Sequence, residues 1–487
     1  MAAVEPPGDV LDSREAGGRI IRGGVVRGVG YVITTLVALL GIALVTRHLG
    51  VVDFGRFQTV MSLITMVATV ADAGMANLGV REYAQRPSEE RERLMRSLLG
   101  LRLALTVAGV GVATLIALSV GYDWELLVGT VLAGLGLALT VVQTTLTIPL
   151  AAGLRNVAIA ALDLLRQLVT VCGYALLVAI GAGVAAFLGV TIPVGVVLVV
   201  VAAILVRGHI PLRPAFKLGE WVVLLRATVA FAMATAVGTI YLYTSQVLTA
   251  AVTDGHETGL FSASFRVFVV VASVPGLLIM VAFPLLSRAA RDDRERLSYA
   301  VHRLFDTTSL LGLAAAIGLV VGAPTIIDIM AGTGYREAVP ALRIQGATLL
   351  ASFALAPIGF ALLSLHAHRA ILVANAAALA VMLCAVGALA SAFGAEGAAI
   401  GTVVGEWSLA IGYFLGLRRT ASEVIPGFDR AMRGLIVAAP CTALALVPGT
   451  PAWVLASLAL VVYTLLLVVV RAVPHELVEV IPGRRTR

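Results

Sequence analysis

The chain has 487 residues, 60% of them hydrophobic and 13% charged, with a mean hydropathy of +1.00. No water-soluble core accommodates that much apolar side chain, so a polytopic membrane protein is expected. The formal charge of +7 reads as a topology signal and contact with anionic lipid, because the arginines lie between apolar runs; a nucleic-acid patch is excluded.

Residues 1–24 are polar and are expected to form a cytoplasmic segment without a cleavable signal. Fourteen apolar runs follow, read as 25–46, 57–80, 99–120, 126–150, 157–180, 184–206, 221–250, 259–286, 304–330, 339–364, 370–392, 395–417, 434–448 and 452–471. Nearly all are long enough to cross hydrocarbon at about 1.5 Å per residue. The thirteenth is short, and only Gly181-Ala182-Gly183 divides the fifth from the sixth. A polar loop from Arg47 to Arg56 is expected between the first two.

Lys and Arg are retained on the cytoplasmic side of a membrane. With the N-terminus inside, 28 of the 35 basic residues fall in inner segments, against Arg47, Arg56 and Arg336 outside. That asymmetry supports fourteen spans with both termini in the cytoplasm. The mixed-charge stretches Arg81–Arg96 and Arg288–Arg303 read as solvated connectors.

The chain also repeats itself. Asp53-Phe54-Gly55-Arg56-Phe57 matches Glu257-Thr258-Gly259-Leu260-Phe261, with acid, glycine and phenylalanine in register. Gly181-Ala182-Gly183 matches Gly394-Ala395-Glu396 further on. Six spans separate the copies, an even number, so both share one orientation, related by an axis along the membrane normal. The expected fold is all-α, about 14 transmembrane helices, with two parallel six-helix lobes around a central cavity plus two C-terminal helices. The lobes are taken as 25–206 and 221–417, joined by a cytoplasmic linker 207–220. A linker and the last two helices occupy 418–471, before a tail at 472–487.

Enzyme chemistry finds no footing. Outer loops reach only about ten residues, and there is no Walker sequence, G-x-S-x-G or His/Cys cluster with ligand spacing. No enzyme activity, metal or cofactor is expected, and no filter-like loop suggests a channel. Cys172, Cys384 and Cys441 read as buried packing residues.

Charges inside the spans carry the interest. Asp72 has no arginine one turn away in its own helix, so it is expected to pair across the cleft or hold a proton, making it the ion-coupling candidate. Arg266, opposite Tyr241, Tyr243, Ser245 and Gln246 of the seventh span, reads as a cavity-facing anion site or a snorkelling side chain. Asp163 and Arg166 form a self-neutralising pair by spacing. Arg226 and Arg343 read as snorkelling cations, and Asp328 as an interfacial acid. Arg22 and Arg27 are topology residues or meet a phosphate at the inner mouth.

The stretches RHLGVVDFGRFQTVMSLITMVATVADAG, VREYAQR, TGLFSASFRVF, FPLLSR and GAEGAAIGTVVGE together resemble polysaccharide-biosynthesis flippases of the O-antigen type. These belong to the multidrug/oligosaccharidyl-lipid/polysaccharide exporter superfamily. The likeness spans roughly residues 19–470. It implies transfer of an undecaprenyl-diphosphate-linked oligosaccharide to the outer leaflet of the cell membrane by alternating access. Glycosyltransferases and a polymerase are the implied partners, with Na+ or H+ as a candidate driving ion. It also implies that cavity cations hold the diphosphate-sugar head, which here points to Arg27, Arg56 and Arg266, with Gln246 beside them. The near absence of lysine in the spans departs from the lipid II branch. A cation-coupled multidrug antiporter of the same superfamily is the alternative, though only Asp72 suits a cationic drug.

Overall fold

The computed structural model describes residues 14–470, apart from 73, 154, 207–212 and 448. The first thirteen residues, residues 207–212 of the expected linker and the tail at 472–487 lie outside the described residues. Sixteen α-helices follow in chain order. The first half contains α1 (Arg14–Asp72), α2 (Met75–Gln85), α3 (Ser88–Ser119), α4 (Trp124–Leu146), α5 (Ile148–Ala152), α6 (Asn156–Ala179), α7 (Val184–Gly189) and α8 (Thr191–Leu205). The second contains α9 (Leu218–Val252), α10 (Gly255–Ala272), α11 (Val274–Asp292), α12 (Arg294–Met330), α13 (Val339–Ser364) and α14 (His368–Thr420). The chain ends with α15 (Asp429–Thr442) and α16 (Ala452–Val469).

Breaks convert these helices into fourteen passes. α1 folds back at Gly50 (φ 74°) and α14 at Gly394 (φ 57°). Both angles favour glycine, because a Cβ would crowd the backbone there. Conversely, α4 with α5, α7 with α8 and α10 with α11 are single passes, interrupted near Pro149, Pro193 and Pro275. The fifth and sixth passes divide where expected, at Gly181 (φ 68°).

One boundary needs correction. The loop expected from Arg47 to Arg56 shrinks to Gly50 alone, and Asp53, Phe54 and Gly55 are helical. Side chains beside the turn reach other helix ends: Arg47 donates to the Ile329 carbonyl at 2.8 Å, and His48 meets the Ala182 carbonyl at 3.1 Å.

These contacts, with Arg56 to Asp123 and Ala395 N–H to Glu257 at 2.7 Å, gather the turns near residues 50, 122, 182, 330 and 394 at one end. It is the end poor in arginine. The two repeat copies meet there. A Cβ added to Gly55 would come within 2.8 Å of the Gly259 amide nitrogen, and one added to Gly259 within 2.0 Å of the Val51 carbonyl. The helices thus touch backbone to backbone, as small residues allow in membranes.

At the arginine-rich end the two halves are joined by polar contacts. Ala215 N–H donates to the Arg96 carbonyl at 2.9 Å, and Glu220 takes both Arg93, at 2.6 Å, and the Ser97 hydroxyl. The last two helices pack on α12 through Leu310, Ile317, Tyr463 and their neighbours. Two of the three cysteines depart from expectation: Cys172 and Cys384 are exposed and only Cys441 is buried.

Candidate substrate site

Arg266 sits eleven residues into α10, between the buried Phe265 and Val267. Its Nε is enclosed and makes no hydrogen bond. The groups in electrostatic reach are the Tyr174 and Tyr243 phenols, from α6 and α9, one from each half. Among the described residues no carboxylate pairs with it. A guanidinium held inside an apolar bundle without a counter-ion is costly, and such residues mark ligand paths.

Gln246 is fully buried nearer the arginine-poor end. Its amide donates to the Ser262 hydroxyl at 2.7 Å and the Thr59 hydroxyl at 3.2 Å, tying α9 to α10 and to the second limb of α1. Only its carbonyl oxygen is left over. One turn away along α1, Arg56 is half exposed and lies between Asp53 at 3.4 Å and Asp123 at 3.5 Å. It lines a cavity of about 220 Å³ together with residues of both halves. Burial pushes the neighbouring Tyr122 phenol up to about 12, against the opposing pull of the Thr59 hydroxyl and Arg56, so this loop tyrosine stays protonated. Arg27 belongs to α1, but its side chain lies outside those described.

Asp72 has the cation that its own helix lacks. Arg102 of α3 donates to it at 2.7 Å and also reaches the hydroxyls of Thr144 at 3.1 Å and Thr145 at 2.8 Å. Arg102 itself is only 4% exposed. The pairing stays within the first half and does not cross the cleft. Arg166, expected to be occupied by Asp163, feels that acid and in addition donates to the Gln143 side chain. Asp328 pairs with Arg336 at 3.3 Å at the helix end, as an interfacial acid should. Arg343 donates to the Val320 carbonyl at 3.2 Å.

Sequence reasoning passed over Glu406. This acid lies within the second limb of α14, eleven residues from Ala395, and is buried. It accepts from the Ser352 hydroxyl at 2.6 Å and the Tyr241 hydroxyl at 2.8 Å, with no cation paired to it among the described residues. Tyr241, expected beside Arg266, thus turns into the second half. Asn375 and Tyr413, bonded at 2.9 Å, extend the polar patch. On the same face of α13 as Ser352, the amide of Gln345 and the hydroxyl of Thr348 are buried without partners. The visible signal was a carboxylate deep in an apolar run, the same signal that singled out Asp72.

Comparison with known proteins completes the picture. A family model described as "Polysaccharide biosynthesis protein" matches residues 44–340. The fold is similar to that of the lipid II flippase MurJ in an inward closed conformation. The TM-score is 0.75 at 11% identity, covering 93% of this chain and 100% of that one. An inward-facing multidrug resistance MATE transporter of the MOP superfamily gives 0.68 at 15% identity, covering 80% and 95%. A MOP transporter from Pyrococcus furiosus, whose title notes a binding pocket of reversed polarity, gives 0.59 at 17%, covering 83% and 96%. No curated protein matches at the level of sequence.

Proposed function

The chain belongs to the polysaccharide biosynthesis protein family, and from that premise we propose that it moves a lipid-linked oligosaccharide across the bilayer by alternating access. The lipid carrier is undecaprenyl diphosphate, and the arginine-rich end faces the cytoplasm, with both termini inside. The observation that carries this reading is Arg266, a guanidinium between the halves with two tyrosines in reach and no paired acid among the described residues. A diphosphate supplies the missing negative charge, and the planar fork of arginine binds two of its oxygens at once. Gln246 braces the wall beside it, and Arg27 is the candidate for the inner mouth.

Ion coupling divides between two acids. Asp72 is already balanced by Arg102, so an ion acts there only by competing with that arginine. Glu406 is held by hydroxyls alone, and H+ or Na+ is the natural partner for a buried carboxylate of that kind. Glycosyltransferases and a polymerase would supply and consume the cargo.

The second reading, a cation-coupled multidrug antiporter, is favoured by the fold it has in common with the MATE transporter. Complementation separates the two. In strains lacking a glycan flippase the wild-type chain should restore surface polysaccharide, and Arg266→Ala should lose that rescue at equal expression. Resistance to cationic dyes without glycan rescue would favour the antiporter.

A further inference from the structure

The cavity beside Arg56 has a composition that differs from the surroundings of Arg266. It lies at the arginine-poor end of the seam between the halves and measures about 220 Å³. The first half contributes Arg56, Thr59, Tyr122 and Asp123, and the second contributes Thr253 and Thr258. A cavity of that volume has room for one sugar ring.

Arg56 is loosely held. Only Nη1 meets the two acids, at 3.4 and 3.5 Å, longer than the roughly 2.7–2.9 Å of a well-made charge-assisted bond. Its Nε and Nη2 have no hydrogen-bond partner among the described residues. Asp123 spends one oxygen on the Leu126 amide, capping α4, and turns the other toward Arg56. Within the lining Arg56 and Asp123 balance each other, and Asp53, outside the lining, adds a second carboxylate beside Arg56, so the three together carry a net charge of −1. A phosphate or uronate meets repulsion there. A neutral hydroxyl both donates and accepts, so a vicinal diol satisfies arginine and aspartate together.

Register sets the cavity's position relative to Arg266. Gly55 and Gly259 lie face to face, and both helices run from the arginine-poor end. Arg56 is one residue past this contact and Arg266 seven, so Arg266 lies about 9 Å deeper at 1.5 Å per residue. A saccharide that extends from a diphosphate at Arg266 toward the arginine-poor end would reach the cavity.

We propose that this seam cavity is a subsite for a neutral sugar ring, separate from the diphosphate contact at Arg266 and selective against acidic sugars. It rests on the proposed transport of a lipid-linked saccharide. Because its walls come from both halves, an occupied cavity stabilises the closed seam.

Saturation-transfer NMR on the purified full chain tests this with maltose and glucuronate as probes. Maltose should show transfer, weakened at least fivefold by Asp123→Asn, which keeps a capping side chain, and by Thr258→Val. Glucuronate should bind at least tenfold more weakly to the wild type and gain on the Asp53→Asn/Asp123→Asn double variant. Maltose failing to bind wild-type protein with a cooperative thermal transition would overturn the subsite, as would equal binding to both variants. Glucuronate binding as strongly as maltose would overturn its selectivity. Lost maltose binding with glycan rescue intact would sink the subsite alone. Maltose binding without glycan rescue would sink the transport reading and leave the cavity's ligand standing.

Discussion

The two halves hold their acids in opposite ways. Asp72 in the first half faces a guanidinium that two threonines hold in place. Glu406 in the second half has a tyrosine and a serine for partners and no cation among the described residues. A salt-bridged acid has its charge balanced within the protein, and removing its partner leaves a stranded charge. A hydroxyl-held acid keeps its hydrogen bonds while its charge is left for a mobile ion to balance. The difference assigns the first pair mainly to architecture and leaves the second acid free to respond to an ion.

Arg102→Met breaks the contrast most severely. It leaves Asp72 unpaired and should lower stability by about 2–3 kcal/mol, below the 3–5 typical of a fully buried pair because Asp72 is 38% exposed. Thermal unfolding in detergent reads this. The Asp72→Asn/Arg102→Met double variant should recover at least half of the loss, and purely additive losses would show that the pair is not coupled.

Glu406→Gln sharpens the contrast from the other side. The amide keeps the acid's volume and can still accept from a hydroxyl, so unfolding should shift by less than about 1 kcal/mol. Transport should lose its dependence on a proton or sodium gradient. Asp72→Asn is expected to keep that dependence. If the two substitutions exchanged these outcomes, the assignment of the acids would be reversed.

Glu220, at the arginine-rich end, provides the smallest effect. Hydrogen bonding from Ser97 first, and then Arg93, holds its carboxyl below the usual carboxylate range. The stability it adds is fully present above the unfolded value near 4.3 and is lost as pH falls through the lowered folded value. Glu220→Gln should therefore lower the unfolding midpoint slightly at pH 7, by at most about 1 kcal/mol. The gap between variant and wild type should close in acid below about pH 4. A gap that widened there would contradict the sign.

Much of this architecture is legible in the residues. Hydropathy and arginine spacing yield fourteen passes because lipid thickness and charge retention act on each segment alone. The turn at Gly50 was read too long, since polar residues such as Asp53 and Arg56 tolerate a helix end when partners like Asp123 lie across it. Repeat glycines announced two related halves, but not that Gly55 and Gly259 would touch. The partner of Asp72 was hidden, because Arg102 is thirty residues away on another helix and no periodicity links them. Glu406 was in view within GAEGAAIGTVVGE, where it passed as part of a motif. Arg56 and Arg266 were both read as cavity cations, but Arg56 is half exposed between two acids whereas the Nε of Arg266 is enclosed without a partner.

Transport by the purified chain tests the central claim most directly. Liposomes carrying the protein and a labelled undecaprenyl-diphosphate saccharide would be probed for label reaching the opposite leaflet. Wild-type protein should move it, Arg266→Ala should be at least tenfold slower with an unchanged unfolding midpoint, and Arg266→Lys should fall between, keeping charge without the fork. Movement by Arg266→Ala at the wild-type rate, or wild-type protein that exports a cationic dye and leaves the saccharide in place, would contradict the account.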